Sequence, residues 1–153
     1  MTIAVQATPL DPGALTNALT AQVTQQARAD QGAVVTFIGL VRDQVENPVS
    51  KLFLEHYPGM TEKALATIAA EACARWPLGP LSIVHRVGTL YPGDPIVFVG
   101  VTSAHRKAAF EAAEFLLDYL KIRAPFWKKE STPTGERWVD ARASDCEAAK
   151  KWR

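Results

Sequence analysis

The sequence predicts an α+β fold: a mostly antiparallel sheet with packed amphipathic helices, in a single domain over residues 1–153. Three observations predict it. Two apolar runs, Leu81 to Leu90 and Pro95 to Thr102, are joined by Tyr91-Pro92-Gly93-Asp94. Proline fixes φ there and glycine admits conformations closed to other residues, so the runs read as a hairpin. The stretch from Ala104 to about Arg123 repeats apolar residues at helical spacing. Hairpins beside amphipathic helices build α+β domains. A chain of 153 residues supplies one substantial core rather than two.

Each element has a local cause. Ile3 to Thr8 alternates weakly, as an edge strand would. Asp11-Pro12 is an N-cap followed by proline at the first helical position, opening a helix to about Arg28. Gly32 to Val41 is apolar and β-branched, hence a strand. Arg42 to Ser50, with Asn47-Pro48, reads as a loop, and Lys51 to Tyr57 as the returning strand. Pro58-Gly59 turns the chain, and Thr61 is expected to cap a helix ending at Trp76, before Pro77. The helix from Ala104 is expected to bury Ala109, Phe110, Ala113, Leu116, Leu117 and Leu120, and Pro125 stops it. Gly135 to Arg142 reads as a last strand and Asp145 to Trp152 as a terminal helix.

Composition excludes several functions. A net charge of +1 argues against nucleic-acid binding by bulk charge, so anion recognition must be local. The apolar runs are too short to span a membrane. The N-terminus lacks a basic segment followed by an apolar one, so no secretory signal is read and a cytoplasmic location is expected. Cys73, in register with Leu65, Ile68, Ala69, Ala72 and Trp76, is expected to be a buried structural thiol, and Cys146 lies in a polar segment. No disulfide is expected in a reducing compartment. His56, His85 and His105 lack the paired spacing of a zinc site; no metal centre is expected.

The chemistry concentrates in two basic clusters. Ser103-Ala104-His105-Arg106-Lys107 opens a helix directly after an apolar strand. Cations are disfavoured at a helix N-terminus unless they converge with its free N–H groups on an anion. A solvated basic turn is the plainer reading. The second cluster is Lys121, Arg123, Lys128 and Lys129, interrupted by Ala124-Pro125-Phe126-Trp127. Lysine near a helix C-terminus is favoured electrostatically. The aromatic segment can hold Lys128 partly desolvated, where its pKa falls, or it can be a hydrophobic anchor with solvated lysines. Arg42, at a strand end, offers planar bidentate contact to phosphate, or is simply a surface charge. From His105 to Lys121 is sixteen residues, about 24 Å of helix. If both clusters serve one small ligand, they must come from two chains of a two-fold dimer.

The motifs together resemble one family. Gly32-Ala33-Val34-Val35-Thr36-Phe37-Ile38-Gly39-Leu40-Val41-Arg42, Leu54-Glu55-His56-Tyr57-Pro58-Gly59-Met60, Arg75-Trp76-Pro77-Leu78-Gly79, His85-Arg86-Val87-Gly88, Ser103-Ala104-His105-Arg106 and Ala124-Pro125-Phe126-Trp127-Lys128-Lys129-Glu130 follow one another in order. They resemble the large, catalytic subunit of molybdopterin synthase, the MoaE family, over roughly residues 30 to 145. The resemblance implies a sulfurtransferase that converts cyclic pyranopterin monophosphate to molybdopterin in molybdenum cofactor biosynthesis. It implies sulfur delivered as a thiocarboxylate on the Gly-Gly tail of a small ubiquitin-like carrier subunit. It also implies a homodimer of large subunits within a heterotetramer, and no cofactor of its own.

By the same resemblance, Lys121 and Lys128 fall on the essential lysines, while Arg42, His105 and Arg106 fall on anion- and pterin-binding positions. Lys129 and Glu130 follow in the binding segment, and Arg142 is placed near the pocket from the second chain. Leu40 stands where some relatives carry a basic residue, and the loop from Asp43 to Ser50 lacks a glycine common among them. The alternative reading is a non-catalytic binding module for a phosphorylated small molecule that uses the same cations.

Overall fold

The computed structural model describes residues 1–26, 29–43, 48, 50–139 and 143–153. Its elements, in order, are β1 (Thr2–Gln6), α1 (Pro12–Gln25), β2 (Ala33–Leu40), β3 (Lys51–His56), α2 (Met60–Arg75), β4 (Leu78–Arg86), β5 (Gly88–Leu90), β6 (Pro95–Ser103), α3 (Arg106–Arg123), β7 (Phe126–Thr132), β8 (Gly135–Val139) and α4 (Ala143–Ala149). They form two four-stranded sheets, ordered β1-β4-β6-β2 and β5-β3-β7-β8. Among the described residues, only the β1–β4 pairing is parallel. The α+β expectation holds.

The first sheet is covered on both faces. Leu81 and Ile83 of β4 and Val97, Val99 and Val101 of β6 face α2 and α3, where they meet Leu65, Ile68, Ala69, Ala72, Ala112, Phe115, Leu116 and Leu120. Residues one position out of phase, Val84 and Phe98, form a smaller core with Leu10. That is the period-2 alternation of a strand buried on both faces. A Cβ added at Gly100 would stand 2.5 Å from Leu19 Cδ2, so a larger residue there would push the Leu19 side chain of α1 away from the sheet. Asp11 caps α1 as expected, its carboxylate accepting from the Ala14 N–H at 3.1 Å.

Several expectations need correction. The run Leu81 to Leu90 is two strands rather than one. β4 pairs with β6 as the hairpin requires, but Gly88, at φ +91°, turns the chain and β5 joins β3 in the second sheet. Thr61 does not cap α2. Gly59 holds that place at φ +85°, and its N–H donates to the Glu62 carboxylate at 2.8 Å. Thr61 is fully buried instead; its hydroxyl accepts from the Tyr57 N–H and donates to the Pro125 carbonyl, each at 3.0 Å.

Phe110 is 61% exposed rather than core, because Ala109, Ala112, Phe115 and Leu116 set the buried face of α3 one residue away from it. Cys73 sits at an exposed edge of α2, and partial covering of its thiol raises its pKa. β7 was not expected. Its own sequence lacks apolar alternation, and the buried face it shares with β3 is supplied by Leu52 and Leu54 of that strand. The terminal helix is α4 followed by a 3₁₀ turn at Lys150–Trp152. The end expected for α1 at Arg28, and the end expected for the last strand at Arg142, lie outside the described residues.

Candidate active site

The second basic cluster is assembled where α3 hands over to β7. Lys121 occupies the last turn of α3, where the carbonyl end of the helix favours a cation. Ala124 ends the helix, Pro125 follows, and β7 starts at Phe126. Thr61 holds the Pro125 carbonyl from the side of α2. The sequence thus folds back on itself within a few residues and returns Lys128 toward the end of the helix it has just left.

Cross-strand register decides which way each β7 side chain faces. Phe126 lies opposite His56, Lys128 opposite Leu54, and Glu130 opposite Leu52. Directly opposed residues share a face, and Leu52 and Leu54 are buried. Phe126, Lys128 and Glu130 therefore occupy the inner face of the second sheet. Glu130 is ion-paired with Arg137 of β8 at 3.1 Å. Lys129, grouped by the family resemblance with the binding segment, is on the outer face. It pairs with Glu136 at 3.2 Å and lies over the Phe53 and Trp138 rings. Adjacent lysines are thus turned to opposite sides of one sheet.

His85 completes the inner cluster, and the sequence reading had assigned it no role. Its ring stacks on Phe126, with centroids 4.0 Å apart and planes 24° apart. Burial, together with the positive charges of Lys128, Lys121 and His56, holds its pKa down at about 4. The ring is therefore neutral at physiological pH. His56 lies opposite Phe126 in the strand register, so it borders the same inner face. His56 in turn stands 3.6 Å from Glu62, whose Oε1 is buried without a hydrogen-bond partner. A signal for His85 did exist: it continues the inward series Leu81, Ile83 on β4, where a third apolar residue would be expected.

The first basic cluster stays apart from this one within the chain. His105 precedes α3 and Arg106 is its first residue, and both are exposed. An 18-residue helix separates them from Lys121 by about 24 Å. Arg42 follows β2 and is also exposed. Its neighbour Val41 is pinned, donating to the Asp94 carbonyl and accepting from the Gly93 N–H. Arg142, and residues 44–47 and 49 of the loop from Asp43 to Ser50, lie outside the described residues.

One surface lies unpaired beside these residues. β2 is an edge strand of the first sheet, yet Val34, Phe37, Ile38 and Leu40 are exposed along it, as is Phe110 on α3. Exposed apolar edges invite pairing with another chain unless covered. Among the described residues, no helix is long and apolar enough to cross a membrane.

Comparison with known proteins adds a family to this geometry. Residues 5–123 match the model of the MoaE protein family. The molybdopterin synthase catalytic subunit of Escherichia coli is 64% identical over 126 residues, covering 82% of this chain and 84% of that protein. The Pseudomonas aeruginosa protein of the same name is 59% identical over 153 residues, covering 99% of each. The solved structure of the molybdopterin biosynthesis MoaE protein from Burkholderia ambifaria superposes with a TM-score of 0.82 at 51% identity, covering 99% of this chain and 98% of that one.

Proposed function

The chain belongs to the MoaE family and is an enzyme, the catalytic subunit in molybdopterin synthesis; we propose that Lys121 and Lys128 carry its chemistry. The observation that carries this reading is the inward register of Lys128 on β7, two residues from the Phe126 ring that stacks on His85, with Lys121 in the last turn of the helix leading into that strand. The substrate is a cyclic pyranopterin monophosphate, and the sulfur comes from the C-terminal thiocarboxylate of a small ubiquitin-like carrier. The thiocarboxylate sulfur forms a carbon–sulfur bond at the substrate as a carbon–oxygen bond breaks. Water then cleaves the acyl–sulfur bond to release the carrier as its carboxylate, and a second carrier brings the second sulfur in the same way. A lysine ammonium donates a proton to the departing oxygen, and the cations stabilise the charge that develops. Neither cysteine is required as a nucleophile, because the carrier brings the sulfur. The exposed edge position and raised pKa of Cys73 agree with that.

The phosphate end of the substrate is held by Arg42 together with His105 and Arg106 of a second copy. In a two-fold dimer formed across the β2 edges, two α3 helices lie antiparallel, so the start of one meets the end of the other. The apolar side chains exposed along β2, with Phe110 beside them, support that arrangement. Arg142 belongs to the same binding set. Glu130, on the face of Lys128, is tied to Arg137 and steadies the strand. The Gly-Gly tail of the carrier lies in a groove walled by the segment from Phe126 to Arg137 and is held by backbone hydrogen bonds, since it has no side chains to be read.

Incubating the protein with thiocarboxylated carrier and the pyranopterin phosphate should yield dithiolene product. Lys121→Ala should fold normally and lose at least about a hundredfold in turnover. Full turnover by that variant would remove Lys121 from the mechanism. Transfer from a carrier shortened by its last two glycines should be abolished, and undiminished transfer would rule out the threaded tail.

A further inference from the structure

Of the three histidines, only His85 is buried, and no step in the chemistry above uses it. An imidazole is a costly choice for an inward strand position, because its polar nitrogens must be desolvated where a leucine would lose nothing. Packing against Phe126 could be done equally well by an apolar ring. The nitrogens therefore need an account of their own. Nδ1 lies 2.8 Å from the Arg86 carbonyl oxygen. A carbonyl can only accept, so Nδ1 carries the ring proton, and in a neutral ring Nε2 is left with a free lone pair.

The elements packed around the ring bring donors to its side of the fold. Phe126 lies flat against the ring, and Lys128 is two residues further along the same face of β7, about 7 Å on. Lys121 stands in the last turn of α3, the helix that leads into β7, and His56 ends β3 directly opposite Phe126. Both lysine ammonium groups are pure donors with three protons each.

We propose that His85 is a positioning residue of the lysine site: its ring, fixed by the Arg86 carbonyl and the Phe126 face, presents an unprotonated Nε2 that accepts a hydrogen bond from a lysine ammonium and sets the direction of its remaining protons. Being uncharged at physiological pH, it orients the lysines without adding a further positive charge. This rests on the reading that Lys121 and Lys128 act on the substrate.

Three variants of the full chain, assayed with its carrier, test the proposal. His85→Phe keeps the ring stack and removes both nitrogens; kcat should fall ten- to a hundredfold, with KM within about twofold and an unchanged melting temperature. His85→Gln restores an acceptor and should recover part of the lost kcat. Lys121→Ala, run in parallel, reports on the underlying reading separately: if it stays active, that reading fails whatever His85 does. Wild-type kcat in His85→Phe would overturn the positioning role. So would equal loss in the Phe and Gln variants accompanied by lowered melting temperatures, which would mark a purely structural residue. In the wild type, ¹⁵N NMR should show the His85 Nε2 as the unprotonated nitrogen, and a proton on Nε2 would contradict the assignment.

Discussion

The two sheets of this protein are built alike and used differently. The first is sealed between α1 on one face and α2 and α3 on the other, and Leu81, Ile83, Val97, Val99 and Val101 form an apolar inner surface that gives way to His85. The second buries Leu52, Leu54 and Leu90 on one face, yet its strand β7 places Lys128 and Glu130 on that same face. Its outer face exposes Trp127 and Trp138. A charged residue facing inward in a small sheet costs desolvation energy that packing cannot return. On the proposed reading the first sheet supplies stability and the second the lysine site, and the two meet where His85 stacks on Phe126.

The sharpest way to break this comparison uses neighbouring residues on β7. Lys128→Ala, on the inner face, should cost at least about a hundredfold in turnover. Lys129→Ala, on the outer face, removes only an exposed pair with Glu136 and two ring contacts, and should stay within about threefold, since such pairs contribute under about 1 kcal/mol. Comparable losses in both would mean that facing does not define the site. In the first sheet the pattern should invert. Ile83→Ala opens a cavity at a fully buried position and should lower unfolding free energy by about 2–5 kcal/mol, while turnover per folded molecule is retained. Denaturant melts paired with active-site titration would separate the two effects.

Where the sheets meet, stability should depend on pH. His85 titrates at about 4 in the folded chain against an ordinary 6.5, so the unfolded chain binds its proton first. Its contribution is fully present above about pH 6.5 and is lost as pH falls toward 4. The loss is on the order of 3 kcal/mol. His85→Phe should flatten that part of the stability curve, and an unchanged slope between pH 6.5 and 4 would contradict a neutral buried ring.

What the sequence disclosed follows the same division. Period-2 runs and amphipathic spacing located β2, β4, β6 and α3 within a few residues, because apolar burial writes itself into pattern. The break at Gly88 was not legible, since one glycine in an apolar run carries no sign of which sheet the next residues join. β7 was not legible either. Phe126-Trp127-Lys128-Lys129-Glu130 has no apolar alternation of its own, and its buried half is supplied by β3. Phe110 reads as core at helical spacing but falls on the exposed side of α3. Both basic clusters were visible as charge, and the helix length alone separated them. The opposite facing of Lys128 and Lys129 required the register. His85 required the ring contact with Phe126.

That separation makes the most direct test. If one site draws Lys121 and Lys128 from one chain and His105 and Arg106 from its partner, two differently damaged chains can repair each other. Arg106→Ala and Lys121→Ala homodimers should each be nearly inactive. Mixed in equal amounts, with subunit exchange verified by a mass-tagged chain, half the dimers are hybrid and each carries one intact site. Activity should then recover to about a quarter of wild type. No recovery after verified exchange would contradict the shared site and place both clusters at work within a single chain.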